Sequence, residues 1–136
     1  MITIYTDGAC SCNPGSGGWG VYIENEDKVK ELWGRESYTT NNRMELKACI
    51  EALKSFQQKT DIVLYTDSQY VLRGIDEWLK NWKRNGWKTG KKKPVKNMDL
   101  WKELDGLNSF HQVKWEWVKG HSGNGGNDRA DYLATF

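Results

Sequence analysis

Two stretches decide the fold: Ile2-Thr3-Ile4-Tyr5-Thr6-Asp7 and Ile62-Val63-Leu64-Tyr65-Thr66-Asp67. Both are rich in apolar and β-branched residues, both close on Tyr-Thr-Asp, and both read as strands. If the strands are parallel neighbours, Asp7 and Asp67 stand side by side at their C-terminal edge, where open α/β sheets place ligands. Adjacent carboxylates repel, and one stays protonated unless a cation is present. Hard divalent cations with oxygen ligands relieve that repulsion, which points to Mg2+ or Mn2+.

Outward from these strands, the pattern alternates between sheet and helix. Trp19 to Glu24 and Val29 to Trp33 read as strands joined by Asn25-Glu26-Asp27, after a turn-rich stretch from Asn13 to Gly18. From Thr40 the apolar period becomes helical, through Met44, Ala48, Cys49, Ala52, Leu53 and Phe56, with Thr40 or Asn41 as N-cap. Glu45 lies near the start of that helix, and its i,i+4 relation to Cys49 lets it face the sheet edge. A helix follows from about Tyr70 to Trp82, with Gly74 as a break, and another from Asp99 to Leu107. Val113 to Val118 is a fifth strand, Gly120 to Gly126 a glycine-rich loop, and Asn127 to Phe136 a last helix carrying Asp131. The order βββαβαααβα predicts an α/β fold, a five-stranded mixed sheet flanked by helices.

Composition agrees with one folded domain. The chain has 136 residues, 38% hydrophobic and 28% charged, which excludes disorder. No apolar run approaches the length of a membrane-spanning helix. The strand at Ile2–Thr6 leaves no room for a signal peptide. Three cysteines without a paired CxxC framework predict a reduced, cytoplasmic setting. Cys10-Ser11-Cys12 lacks the second thiol pair of a zinc site. Gly15 to Gly20 satisfies GxGxxG but leads into a strand, so the dinucleotide context fails. The net charge of +2 hides an asymmetry: residues 78–98 hold eight basic and no acidic residues, and the rest is net −6. A local contact with a polyanion follows.

Five segments narrow the function: Thr6-Asp7-Gly8, Thr40-Asn41-Asn42-Arg43-Met44-Glu45, Thr66-Asp67-Ser68-Gln69-Tyr70, Trp117-Val118-Lys119-Gly120-His121-Ser122-Gly123, and Asn127-Asp128-Arg129-Ala130-Asp131. In order and in combination they resemble the type I ribonucleases H of bacteria. The resemblance implies a single catalytic domain over 1–136, with a basic substrate-binding protrusion at about 78–97. It implies endonucleolytic hydrolysis of the RNA strand of RNA–DNA hybrids, with little sequence preference, leaving 5′-phosphate and 3′-hydroxyl ends. Asp7, Glu45, Asp67 and Asp131 become the ligands of two Mg2+ ions, with Mn2+ as substitute. His121 becomes a mobile catalytic histidine that shuttles a proton or assists product release.

Asn13, Asn41 and Gln69 match positions that read the RNA strand near its 2′-hydroxyls. Thr40 and Asn97 match positions that hold a DNA-strand phosphate, and Trp78, Trp82, Lys83, Trp87 and Lys88 match the DNA-strand surface of the protrusion. The chain departs from the family pattern at Asn124-Gly125-Gly126, which bears on His121, and ends five residues after Asp131. A hybrid-binding module without activity is disfavoured by the four intact carboxylates. An integrase-like enzyme acting on DNA is disfavoured by Asn13, Gln69 and the basic segment. No self-complementary patch is evident, so a monomer is expected.

Overall fold

The computed structural model describes residues 1–120 and 123–136. Five strands form one mixed sheet: β1 (Ile2–Cys10), β2 (Gly15–Asn25), β3 (Lys28–Thr39), β4 (Asp61–Thr66) and β5 (Gln112–Trp117). Their order is β3-β2-β1-β4-β5. The first three form an antiparallel meander, while β4 runs parallel to β1 and β5 parallel to β4. The repeated sequence lies in register with itself: Tyr5 pairs with Tyr65 and Thr6 with Thr66. Asp7 and Asp67 therefore leave the sheet together.

One face of the sheet carries the main core. Ile4, Val21, Ile23, Ile62 and Leu64 are buried against α1 (Asn41–Lys54). That helix contributes Leu46, Cys49, Ile50 and Leu53, and α4 (Met98–Phe110) adds Trp101 and Leu104. The other face carries a row of rings, with Tyr5 stacked on Tyr65 at 5.0 Å. The last helix, α5 (Gly125–Thr135), packs there.

Three expectations change. The glycine-rich stretch is strand from Gly15 onward, and β3 continues to Thr39. Gly74 does not break its helix. The chain runs from α2 (Gln69–Arg73) through a π-helical turn (Gly74–Trp78) into α3 (Leu79–Arg84). Gly74 is buried under the Trp101 ring, where a Cβ would overlap the indole. Glycine is there for packing, not for termination.

The segment after α3 folds back on itself through a Lys88–Pro94 bridge and buries Val95. No helix among the described residues is long and apolar enough to cross a membrane. Cys10, Cys12 and Cys49 are free thiols.

Candidate active site

The carboxylates meet because the sheet is thinned to bare backbone at this edge. A Cβ at Gly8 would overlap Glu45 N and stand 2.8 Å from the Met44 carbonyl oxygen, so α1 touches the β1 backbone directly. On the opposite face, a Cβ at Gly20 would stand 2.7 Å from Leu133 Cβ, so α5 touches β2 just as closely. Gly20 is the strand partner of Asp7. Two helices thus reach one strand end from opposite faces. Glu45 arrives from α1, and Asp131 arrives from α5 and shares a hydrogen bond with Asp7.

The N-terminus of α1 is fixed by Thr40, whose Oγ1 accepts from Arg43 N at 3.2 Å. Replacing Gly8 by Ala would force α1 off the strand, an overpacking change of about 1–3 kcal/mol. The expected result for Gly8→Ala is a lower melting temperature together with weaker activity, checked by thermal melts and rate measurements on one preparation.

Asp7, Glu45 and Asp67 each offer an oxygen, and the three lie within 4.8 Å of one another. Asp7 is 6% exposed. Burial, then the hydrogen bond with Asp131, then the charges of Asp67 and Asp131 push its carboxyl up to about 9. Burial, with the charges of Asp7 and Asp67, also holds Glu45 well above the carboxylate range. Glu45 Oε1 is buried with no hydrogen-bond partner among the described residues. A buried carboxylate oxygen without a donor is costly unless a cation meets it. The cluster therefore fits divalent ions with all-oxygen ligands.

The remaining predicted residues fall into three groups. Asn13 and Asn41 adjoin, since Asn13 Oδ1 accepts from Asn41 N at 3.2 Å. Gln69 is exposed at the start of α2. Thr40 and Asn97 line one cavity of about 170 Å3 with Asn13, Pro14, Asn42 and Lys96.

Trp78, Trp82 and Trp87 are half-buried and pack against one another in series, at 5.7 and 6.3 Å between rings. Trp78 and Trp82 also meet the Tyr70–Trp101 pair. Lys83 is held by Asp105 at 3.3 Å, and Lys88 is exposed. His121 lies outside the described residues. Its neighbour Gly120 lies against Asp67, where a Cβ would stand 2.6 Å from Oδ2.

Sequence reasoning gave Arg43 no role. It donates to both oxygens of Asp99 and to Asn97 Oδ1 at 3.2 Å, while Asn97 Nδ2 donates to Tyr70 Oη. This network fixes Asn97, which has a left-handed φ of 61°, beside the cavity. The signal was present, since Arg43 lies inside the Thr40–Glu45 motif. Cys49 was neutral in the sequence and is inert in the fold, its thiol pushed up to about 12 by burial.

Comparison with known proteins gives a consistent answer. The RNase H family model matches residues 1–136. The chain is 59% identical to Ribonuclease H of Francisella tularensis subsp. novicida over 134 residues, 98% of this chain and 88% of that protein. It is equally identical to Ribonuclease HI of Neisseria meningitidis serogroup B, over 98% of this chain and 92% of that protein. A crystal structure of LC9-RNase H1, described as a type 1 RNase H with the type 2 active-site motif, superimposes with a TM-score of 0.87. It is 33% identical and is matched over 98% of this chain and 69% of its own. A five-stranded sheet that gathers carboxylates from both faces, and a family match over the whole chain, lead to one conclusion: the protein belongs to the RNase H family and is a ribonuclease H enzyme.

Proposed function

We propose that this enzyme hydrolyses the RNA strand of RNA–DNA hybrids endonucleolytically, with little sequence preference, to 5′-phosphate and 3′-hydroxyl ends. The observation that carries the mechanism is the carboxylate cluster, buried at Asp7 and half-buried at Glu45 and Asp67, with its unpartnered Glu45 oxygen. Asp7, Glu45, Asp67 and Asp131 would hold two divalent cations, Mg2+ by the hard donor set, with Mn2+ as substitute. When bound, such a pair supports attack by water and relieves charge on the phosphate and the leaving 3′-oxygen. The protein's part is to keep four carboxylates in place on rigid elements and to lose the Asp7 and Glu45 protons on loading.

Substrate choice comes from the polar rim. Asn13 Oδ1 is occupied by Asn41 N–H, so Asn13 Nδ2 is the group that can donate to a 2′-hydroxyl. Asn41 and Gln69 add further amides, and only an RNA strand offers the hydroxyl they read. The cavity of Thr40 and Asn97, with Lys96 at its rim, takes a phosphate of the DNA strand.

The segment at about 78–97 extends that surface through Trp82, Trp87 and Lys88. Trp78, packed against Trp82, belongs to the same surface, and Lys83 exchanges Asp105 for a phosphate. His121, the next residue in sequence after Gly120, serves as the proton carrier or product-release group.

The test is cleavage of end-labelled RNA in a hybrid, with Mg2+ and with EDTA, beside DNA–DNA and RNA–RNA duplexes. Cutting of the hybrid's RNA strand alone, abolished by EDTA, is expected. Cutting of plain DNA would move the enzyme toward the integrase-like branch, and EDTA-resistant cutting would remove the metals.

A further inference from the structure

The second half of α5 is tied to the edge of the sheet by side chains outside the core. Phe136 is 56% exposed and Trp33 53% exposed, yet their rings meet edge to face at 5.9 Å. Phe136 also stacks on Tyr132 at 5.3 Å, with 13° between the planes. The Arg35 guanidinium lies 4.6 Å over the Phe136 ring, and its Nη2 donates to Phe136 O at 2.9 Å. A second tie lies nearer the start of the helix, where Arg129 forms a bidentate pair with Glu31 and covers the Tyr132 ring. Glu31, Trp33 and Arg35 all belong to β3. Asp131 lies between the two tied positions, Arg129 and Phe136.

We propose that Trp33, Arg35 and Phe136 form a clasp that positions Asp131 in the metal site. The proposal rests on the assignment of Asp131 as a ligand made above. An 11-residue helix is marginal on its own and takes its order from tertiary contacts. Its N-terminus is fixed by Asn124, whose Oδ1 accepts from Asn127 N at 3.0 Å. Beneath its second half lie Gly18 and Gly20, which bring it close to the sheet but offer no side chains to interlock with it. Ala130, Leu133 and Ala134 are buried against that seat, and the exposed C-terminal turn is constrained further by ties to β3. The clasp supplies that constraint from the edge strand. Trp33, Arg35 and Phe136 are positioning residues, acting on the reaction through Asp131.

The test compares Phe136→Ala, Trp33→Ala and Phe136→Tyr with Asp131→Asn. Four quantities are read: Mg2+ affinity by calorimetry without substrate, kcat and KM on a hybrid, and amide exchange along α5. Phe136→Ala and Trp33→Ala are expected to weaken Mg2+ binding and lower kcat by about tenfold, the scale of one lost aromatic and cation contact. KM stays within about twofold, because hybrid contacts lie elsewhere. Exchange rises in α5 alone, and Phe136→Tyr keeps all four at wild-type values. Wild-type Mg2+ affinity and kcat in both alanine variants, with both lost in Asp131→Asn, would overturn the clasp and leave the ligand assignment standing. Wild-type behaviour of Asp131→Asn would overturn both. A uniform rise in exchange across the sheet would reduce the clasp to general stability and overturn its positioning role.

Discussion

Asp7→Asn is expected to lower kcat by about a thousandfold or more while leaving hybrid affinity within a fewfold of wild type. Asp7 is the carboxylate that the others surround: Glu45 and Asp67 lie within 4.8 Å, and Asp131 is hydrogen-bonded to it. Replacing it by an amide keeps the shape and removes one anionic ligand from the middle of the site. Hybrid affinity rests on other groups, the amides of Asn13, Asn41 and Gln69 and the Thr40–Asn97 cavity, none of which Asp7 supports. Single-turnover rates and fluorescence anisotropy on one labelled hybrid separate the two effects. A wild-type rate would remove Asp7 from the site. A parallel loss of binding would mean that the carboxylates, through their metals, supply most of the substrate affinity.

Much of this site was legible in the sequence because it is built on a repeat. Ile-Thr-Ile-Tyr-Thr-Asp and Ile-Val-Leu-Tyr-Thr-Asp form parallel strands whose tyrosines and threonines pair with one another. The period of α1 placed Glu45, and Thr40 proved to be its N-cap. Glycines were harder to interpret. Gly74 reads as a break by propensity, yet it is a packing position under Trp101, which belongs to a different helix. Gly18 reads as a turn residue, yet it is a strand residue that, with Gly20, seats a helix from the far end of the chain. A missing side chain carries no mark of what it makes room for. The tryptophans pose the converse problem. Trp78, Trp82 and Trp87 are interleaved with lysines as a polyanion-binding surface would be, and they also pack against the core, Trp82 directly on Trp101. Sequence spacing does not divide a ring between those roles.

The metal-free protein should lose stability as pH rises, the reverse of what salt-bridged carboxylates produce. Asp7 titrates at about 9 in the fold against an ordinary value of 3.8. Between those values the folded protein keeps a proton that the unfolded chain releases. The contribution is therefore complete below about pH 4 and is lost as pH climbs toward about 9, with a slope of at most about 1.4 kcal/mol per pH unit for one proton. Glu45, also raised, acts in the same direction. Glu31 and Asp99, lowered by Arg129 and Arg43, act in the opposite direction, but only as pH falls through the acid range.

In EDTA, melting temperature is expected to fall from about pH 5 to about pH 9. Asp7→Asn should flatten that slope and melt higher than wild type at the alkaline end. Saturating Mg2+ should raise the wild-type curve most at high pH, because the ion binds the deprotonated site. Equal slopes for wild type and Asp7→Asn in EDTA would show that Asp7 is not held protonated. The two large effects share one cause. The burial and repulsion that disfavour four ionised carboxylates in the metal-free fold are what a divalent pair relieves, so the substitution that stabilises the metal-free protein is the one that removes its activity.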